Sequence, residues 1–171
     1  MHTSDTHAAA IDRYLPTDGD DGRLVFFVRS LAPTTDNTTQ TDCFDRLRRL
    51  ADAESFDVAV RVWGDGICTH APEMEGISEM LETITEIYSF SAESDSNITP
   101  FFDVQRVDSS LSGESFERVI PPHRTLLAYE GGTLSGVFPC RVEGQTYTPC
   151  DALAALEANH EIELFSAADA A

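Results

Sequence analysis

Two apolar runs, Thr125-Leu126-Leu127-Ala128-Tyr129 and residues 133–138, are separated only by Glu130-Gly131-Gly132, and this spacing limits the fold more than any other feature. A two-residue turn between paired strands needs positive φ, which glycine alone accepts freely, so the segment predicts a β-hairpin. Beyond it, Thr148-Pro149-Cys150-Asp151 precedes Leu153, Leu156 and several alanines. Thr148 is placed to cap a helix, Pro149 falls where its missing N–H is harmless, and Asp151 suits the positive helix end. The C-terminal third therefore reads as strand, tight turn, strand, helix.

Upstream, Leu24-Val25-Phe26-Phe27-Val28 within residues 23–31 is a continuous apolar run, as expected of a central strand covered on both faces. Phe44, Leu47, Leu50 and Ala51 recur at helical spacing and predict a helix over 40–53, with Arg46, Arg48 and Arg49 on its outer face. Val58, Val60 and Val62 alternate along a second strand that ends at Trp63. Strand, helix, strand makes a βαβ unit with a right-handed crossover and parallel strands. Ile77, Met80, Leu81, Ile84, Ile87 and Tyr88 mark a second helix, from Glu73 to Phe90. Residues 100–107 read as a strand nearer an edge and the serine-rich 109–117 as a loop or short turn. No internal repeat or glycine-rich phosphate loop is present, and no cofactor is expected.

With 171 residues the expectation is one domain over 23–165, flanked by disordered tails at 1–22 and 166–171. No apolar run approaches the ~18 residues of a membrane span. Residues 1–22 lack the hydrophobic core of a secretory signal, which favours a cytoplasmic address. Charge adds a second constraint: 30 acidic residues face 11 basic ones, a net of −19, and every basic residue is Arg. The acids are dispersed rather than run together, which suits a surface solvated in concentrated salt. At about 1 M the Debye length is only ~3 Å, so self-repulsion is screened.

The order β, α, β, α, β, hairpin, α, with Ile120-Pro121 shortly before the hairpin, Gly131-Gly132 within it, Val137-Phe138 and a closing helix, resembles the thioredoxin-like fold. That resemblance implies an α/β domain whose mixed central sheet joins a parallel βαβ unit to a C-terminal antiparallel hairpin, flanked by helices. It also implies a cis proline at Pro121 or Pro122. The chain departs from that fold family in lacking a Cys-x-x-Cys pair after the first strand. Over residues 23–157 the chain is also similar to an uncharacterised haloarchaeal protein family, some of whose members carry a helix-turn-helix name. The residues that carry this likeness are Val28-Arg29-Ser30-Leu31-Ala32-Pro33, Val62-Trp63-Gly64, Tyr129-Glu130-Gly131-Gly132 and Val137-Phe138-Pro139-Cys140.

Four cysteines supply the candidate chemistry. Cys43 falls near the start of the first helix, where backbone N–H groups stabilise a thiolate, although a small thiol also packs well in a core. Cys140 and Cys150 flank residues 141–149; if Gly144 turns that segment into a second hairpin, the two can meet as a switchable disulfide, the alternative being two independent half-buried thiols. Cys68 and His70, with His123 and Cys140 or Cys150, are ligand types that zinc prefers, but the spacing matches no metal motif and no metal is expected. Arg46-Leu47-Arg48-Arg49 is the one basic cluster, small for a nucleic-acid footprint and expected to pair with acids, so nucleic acid is not an expected partner.

The leading reading is a non-catalytic binding or regulatory module for an unknown protein or small molecule, with oligomeric state left open. By fold analogy its cleft lies at the C-terminal ends of the parallel strands, where residues 32–41, 63–72 and 120–123 converge, with Trp63, Pro121, Pro122 and His123 as its named residues. Two alternatives stand beside it. One is a thiol-based redox protein using Cys43 or the Cys140/Cys150 pair. The other is a helix-turn-helix DNA-binding regulator, which requires two helices joined by a short turn, whereas the strand at 58–63 follows the first helix.

Overall fold

The computed structural model describes residues 11–16, 22–31, 38–53, 56–64, 66–68, 77–108 and 110–159. In chain order the elements are a 3-10 turn at Asp12–Tyr14, β1 (Gly22–Val28), α1 (Thr38–Asp52), β2 (Asp57–Val62), β3 (Ile67–Cys68), α2 (Ile77–Glu93), β4 (Asp103–Asp108), β5 (Ser115–Ile120), β6 (Arg124–Glu130), β7 (Thr133–Phe138), β8 (Cys140–Val142), β9 (Gln145–Tyr147) and α3 (Pro149–Asn159). The result is a mixed α/β fold.

The central sheet has the order β2-β1-β6-β7. β1 and β2 run parallel, while β6 is antiparallel to both β1 and β7. The βαβ unit and the hairpin thus share one sheet, with Phe26 opposite Val60 on one side and Leu126 on the other. β1 is the inner strand that its apolar run implied, with only Arg23 exposed. At the hairpin both glycines take positive φ, +59° at Gly131 and +81° at Gly132, as the primed turn requires.

Consecutive strand residues point to opposite faces, and β1 uses this to divide the core. Phe26 meets Phe44 of α1 edge-on at 5.5 Å. Phe27 stacks on Trp63 at 4.3 Å, and Trp63 touches Phe102, which reaches Tyr88 of α2. α1 and α3 therefore cover one face, and α2 the other. At the start of α3 the amide of Thr148 donates to Asp151 Oδ2 (2.8 Å) and the amide of Asp151 to Thr148 Oγ1 (3.2 Å), a reciprocal capping box.

Several expectations need correction. Within the tail expected at 1–22, Ile11, Tyr14 and Leu15 are buried. Their turn lies along β7, where the Ser135 hydroxyl donates to the Tyr14 carbonyl and a Cβ at Gly136 would collide with that same oxygen. Residues 1–10 and 17–21 of that tail, residues 32–37, His70 and residues 160–171 lie outside the described residues. Residues 109–117 are not all loop, because β5 begins at Ser115; its exposed, polar start carries no alternating apolar signal. β4 is an edge strand, as expected, but of a separate three-stranded sheet in which β5 pairs with both β3 and β4.

The cis proline is also placed elsewhere. Among the described residues the only cis bond is Phe138–Pro139, where the chain leaves β7 for β8, and Pro121 and Pro122 are trans.

Candidate functional site

The densest grouping of chemically active side chains lies along the seam between α1 and α3. On α1, Cys43, Leu47 and Leu50 are buried and share one stripe by their helical spacing. On α3 the matching stripe holds Cys150, Leu153 and Glu157. Cys43 and Cys150 form a disulfide with Cα atoms 5.8 Å apart. Further along, Glu157 accepts from Arg46 Nη1 at 3.3 Å and from Arg49 Nη2 at 3.2 Å. Both contacts advance in the same direction along the two helices, so α1 and α3 run side by side and roughly parallel.

The Glu157 side chain is 5% exposed, while Arg46 and Arg49 keep 29% and 36%. A buried carboxylate needs such partners, since an unpaired charge there would cost several kcal/mol. The arginines in turn are held in place with each side chain still partly exposed. Arg48 is exposed, and so are Asp42, Asp45 and Asp52 on the same helix. Of the arginine cluster expected to pair with acids, Arg46 and Arg49 do so through this one carboxylate, from a helix remote in sequence.

The disulfide corrects the pairing expected from sequence. The hairpin around Gly144 does form, with positive φ at Glu143 and Gly144. It turns Cys140 away from Cys150, into the core, where Cys140 is fully buried and unbonded. Burial pushes its thiol up to about 11. Cys150, at the second position of α3, faces α1 instead. Cys68 is half-buried in β3 opposite Arg118. Among the described residues no three of His, Cys, Asp and Glu gather as metal ligands.

The residues proposed for a cleft sit near the ends of β1 and β2. Arg29 donates through Nε to the Pro121 carbonyl at 2.9 Å, and its amide donates to the His123 carbonyl at 3.2 Å. The Trp63 amide donates to the Val28 carbonyl at 3.1 Å. Residues 121–123 are thus tied to the end of β1 beside Trp63. Trp63 itself is buried, as is Pro121, while Pro122 is half-buried and His123 exposed.

Three polar atoms missed in the sequence reading lie in this region. Trp63 Nε1, the Tyr88 hydroxyl and the Thr125 hydroxyl are buried without a hydrogen-bond partner among the described residues. The Tyr88 hydroxyl is raised above its ordinary value, first by burial and then by the charge of Asp103. Their helical or alternating positions read only as core, so no sequence signal set them apart.

Fold and seam together define a mixed α/β domain whose two N- and C-terminal helices, far apart in sequence, are clamped by a disulfide and a buried ion-pair triad. The chain belongs to the family described as Helix-turn-helix domain, which it matches over residues 16–161. No curated protein and no solved structure matches it. Among the described residues no two helices consecutive in the chain are joined by a short turn: β2 and β3 separate α1 from α2, and β4 to β9 separate α2 from α3. The helices in direct contact are α1 and α3. Family membership also counts against the expectation that nucleic acid is not a partner. No helix among the described residues is long and apolar enough to cross a membrane.

Proposed function

We propose that this protein is a non-catalytic regulator that contacts duplex DNA through α1, using Arg46, Arg48 and Arg49. Membership of the helix-turn-helix family across residues 16–161 carries the reading. The seam supports it, because Glu157 orients two of the three arginines while leaving about a third of each exposed. An arginine held in one orientation loses less entropy when it engages a phosphate than a free one does. Asp42, Asp45 and Asp52 keep the positive surface narrow, so the contact involves few phosphates and takes its sequence information from elsewhere on the protein.

The test is fluorescence anisotropy of a labelled mixed-sequence duplex titrated with the full chain at several potassium chloride concentrations. Three phosphate contacts give a slope of log affinity against log salt near −3 on the high-salt limb. Arg48→Ala removes one contact and lowers the slope by about 1. Absence of binding at every salt concentration, by protein whose folding is verified in the same buffer, refutes the proposal.

A further inference from the structure

We infer that Cys43 and Cys150 form a reversible two-electron redox site, exchanging with dithiols and disulfides, that sets how firmly α3 is held on α1. This stands apart from the nucleic-acid reading and rests on three observations. The two cysteines come from helices 107 residues apart in sequence, yet they meet in one covalent bond. The two residues differ in exposure: Cys43 is fully buried and Cys150 half-buried, so Cys150 is the one nearer solvent. Finally, Cys150 belongs to the first turn of α3, whose N–H groups favour a thiolate there.

Exchange must therefore enter at Cys150. A dithiol's thiolate attacks Cys150 Sγ, the protein S–S bond breaks, and its electron pair leaves on Cys43 Sγ, which takes up a proton. The second thiol of the dithiol then displaces Cys150 from the mixed disulfide. One protein disulfide and one dithiol become two protein thiols and the oxidised dithiol. Oxidation by a small disulfide reverses each step, with Cys150 attacking first and Cys43 resolving.

The bond lies at the start of α3, next to the capping box. The far end is held separately, by Glu157 to α1 and by Asn159, whose side chain donates to Asp12 at 2.9 Å. Breaking the bond thus loosens the first turns of α3 without severing the far contacts. Cys140, buried with its thiol pushed up to about 11, stays outside this chemistry and serves as an internal control.

The experiment compares full-length protein oxidised with glutathione disulfide and reduced with dithiothreitol, at one fixed high salt concentration. Hydrogen exchange read by mass spectrometry is expected to rise about tenfold or more in α3 on reduction, with β1 and β6 unchanged. Alkylation of the reduced protein should reach Cys150 before Cys43 and leave Cys140 unmodified. Cys150→Ser should abolish the redox response, and Cys43→Ser should trap glutathione on Cys150. Equal exchange in α3 in both states overturns the inference, as does a redox response that survives in Cys150→Ser. Should Cys43→Ser fail to fold, the wild-type comparison and Cys150→Ser still decide.

Discussion

Removing the charge of Glu157 tests the seam directly. Each of its contacts, at 3.3 and 3.2 Å, corresponds to about 5 kcal/mol of gross Coulomb attraction at an effective dielectric constant near 20. Desolvating a nearly buried carboxylate offsets much of this. The arginines are about a third exposed, so water already screens them and the net contribution falls further. Glu157→Gln keeps the volume and one accepting oxygen while losing the charge; the expected cost is about 1–2 kcal/mol. Glu157→Ala also opens a cavity and leaves Arg49, whose Nε is already buried without a partner among the described residues, less satisfied; the expected cost is about 2–4 kcal/mol. Arg48→Ala, at an exposed position, should stay within about 0.5 kcal/mol of wild type. Urea unfolding at constant potassium chloride measures all three. If Glu157→Gln unfolds at the same urea concentration as wild type with an unchanged slope, the triad contributes nothing and the arginines are not held by it.

Three further outcomes follow from the structure. Gly136→Ala puts a Cβ into the Tyr14 carbonyl and should destabilise by about 1–3 kcal/mol, with protease cutting first near residues 11–16; an unaffected variant means the turn does not rest on β7. The folded protein holds Cys140 protonated, its thiol raised from 9.0 to about 11 by burial, so that stabilisation is complete below pH 9 and disappears as pH rises through 11. The loss is roughly 3 kcal/mol at most; Cys140→Val should flatten unfolding midpoints across that window, and an unchanged slope refutes the assignment. With a net charge of −19, the chain should lose circular-dichroism signal in about 0.1 M salt and regain it near 2 M as screening shortens the repulsion, whereas a salt-independent unfolding curve counts against a salt-adapted surface.

What could be read from sequence was whatever leaves a local signature. The Gly131-Gly132 turn and the Thr148/Asp151 cap are fixed by backbone requirements spanning four residues, and both occur as expected. The apolar run of β1 marked an inner strand because covered strands tolerate no alternation. Long-range partners left no such mark. Cys150 lies ten residues from Cys140 but bonds to Cys43, because the side of α3 it occupies is set by packing on α1. Glu157 was legible in principle: it is an acid on the stripe that also holds Cys150 and Leu153, and an acid on a buried stripe calls for a cation. Three arginines on α1 were the available supply. β5 stayed hidden because half of its residues are exposed, and Ser115, Glu117 and Arg118 interrupt the apolar period on both faces.

The charge balance makes a sharper demand on the DNA reading than on the fold. At low salt a body of net charge −19 and a duplex repel one another over the ~10 Å Debye length of 0.1 M salt, and Asp42, Asp45 and Asp52 add to this close to the arginines. Near 1 M the screening length falls to ~3 Å, comparable to the arginine–carboxylate distances in the seam, so only groups in contact still interact. Counterion release, by contrast, weakens direct arginine–phosphate contacts at every step up in salt. The two trends oppose each other, and affinity should therefore pass through a maximum at intermediate salt rather than fall throughout. Glu157→Gln removes one negative charge beside the arginines and also weakens the contacts that orient them, so it should lower affinity on the high-salt limb and lower it less, or raise it, on the low-salt limb. A monotonic fall in affinity from the lowest salt at which the protein is folded would mean that repulsion plays no part and that the contact lies on a basic surface elsewhere than α1.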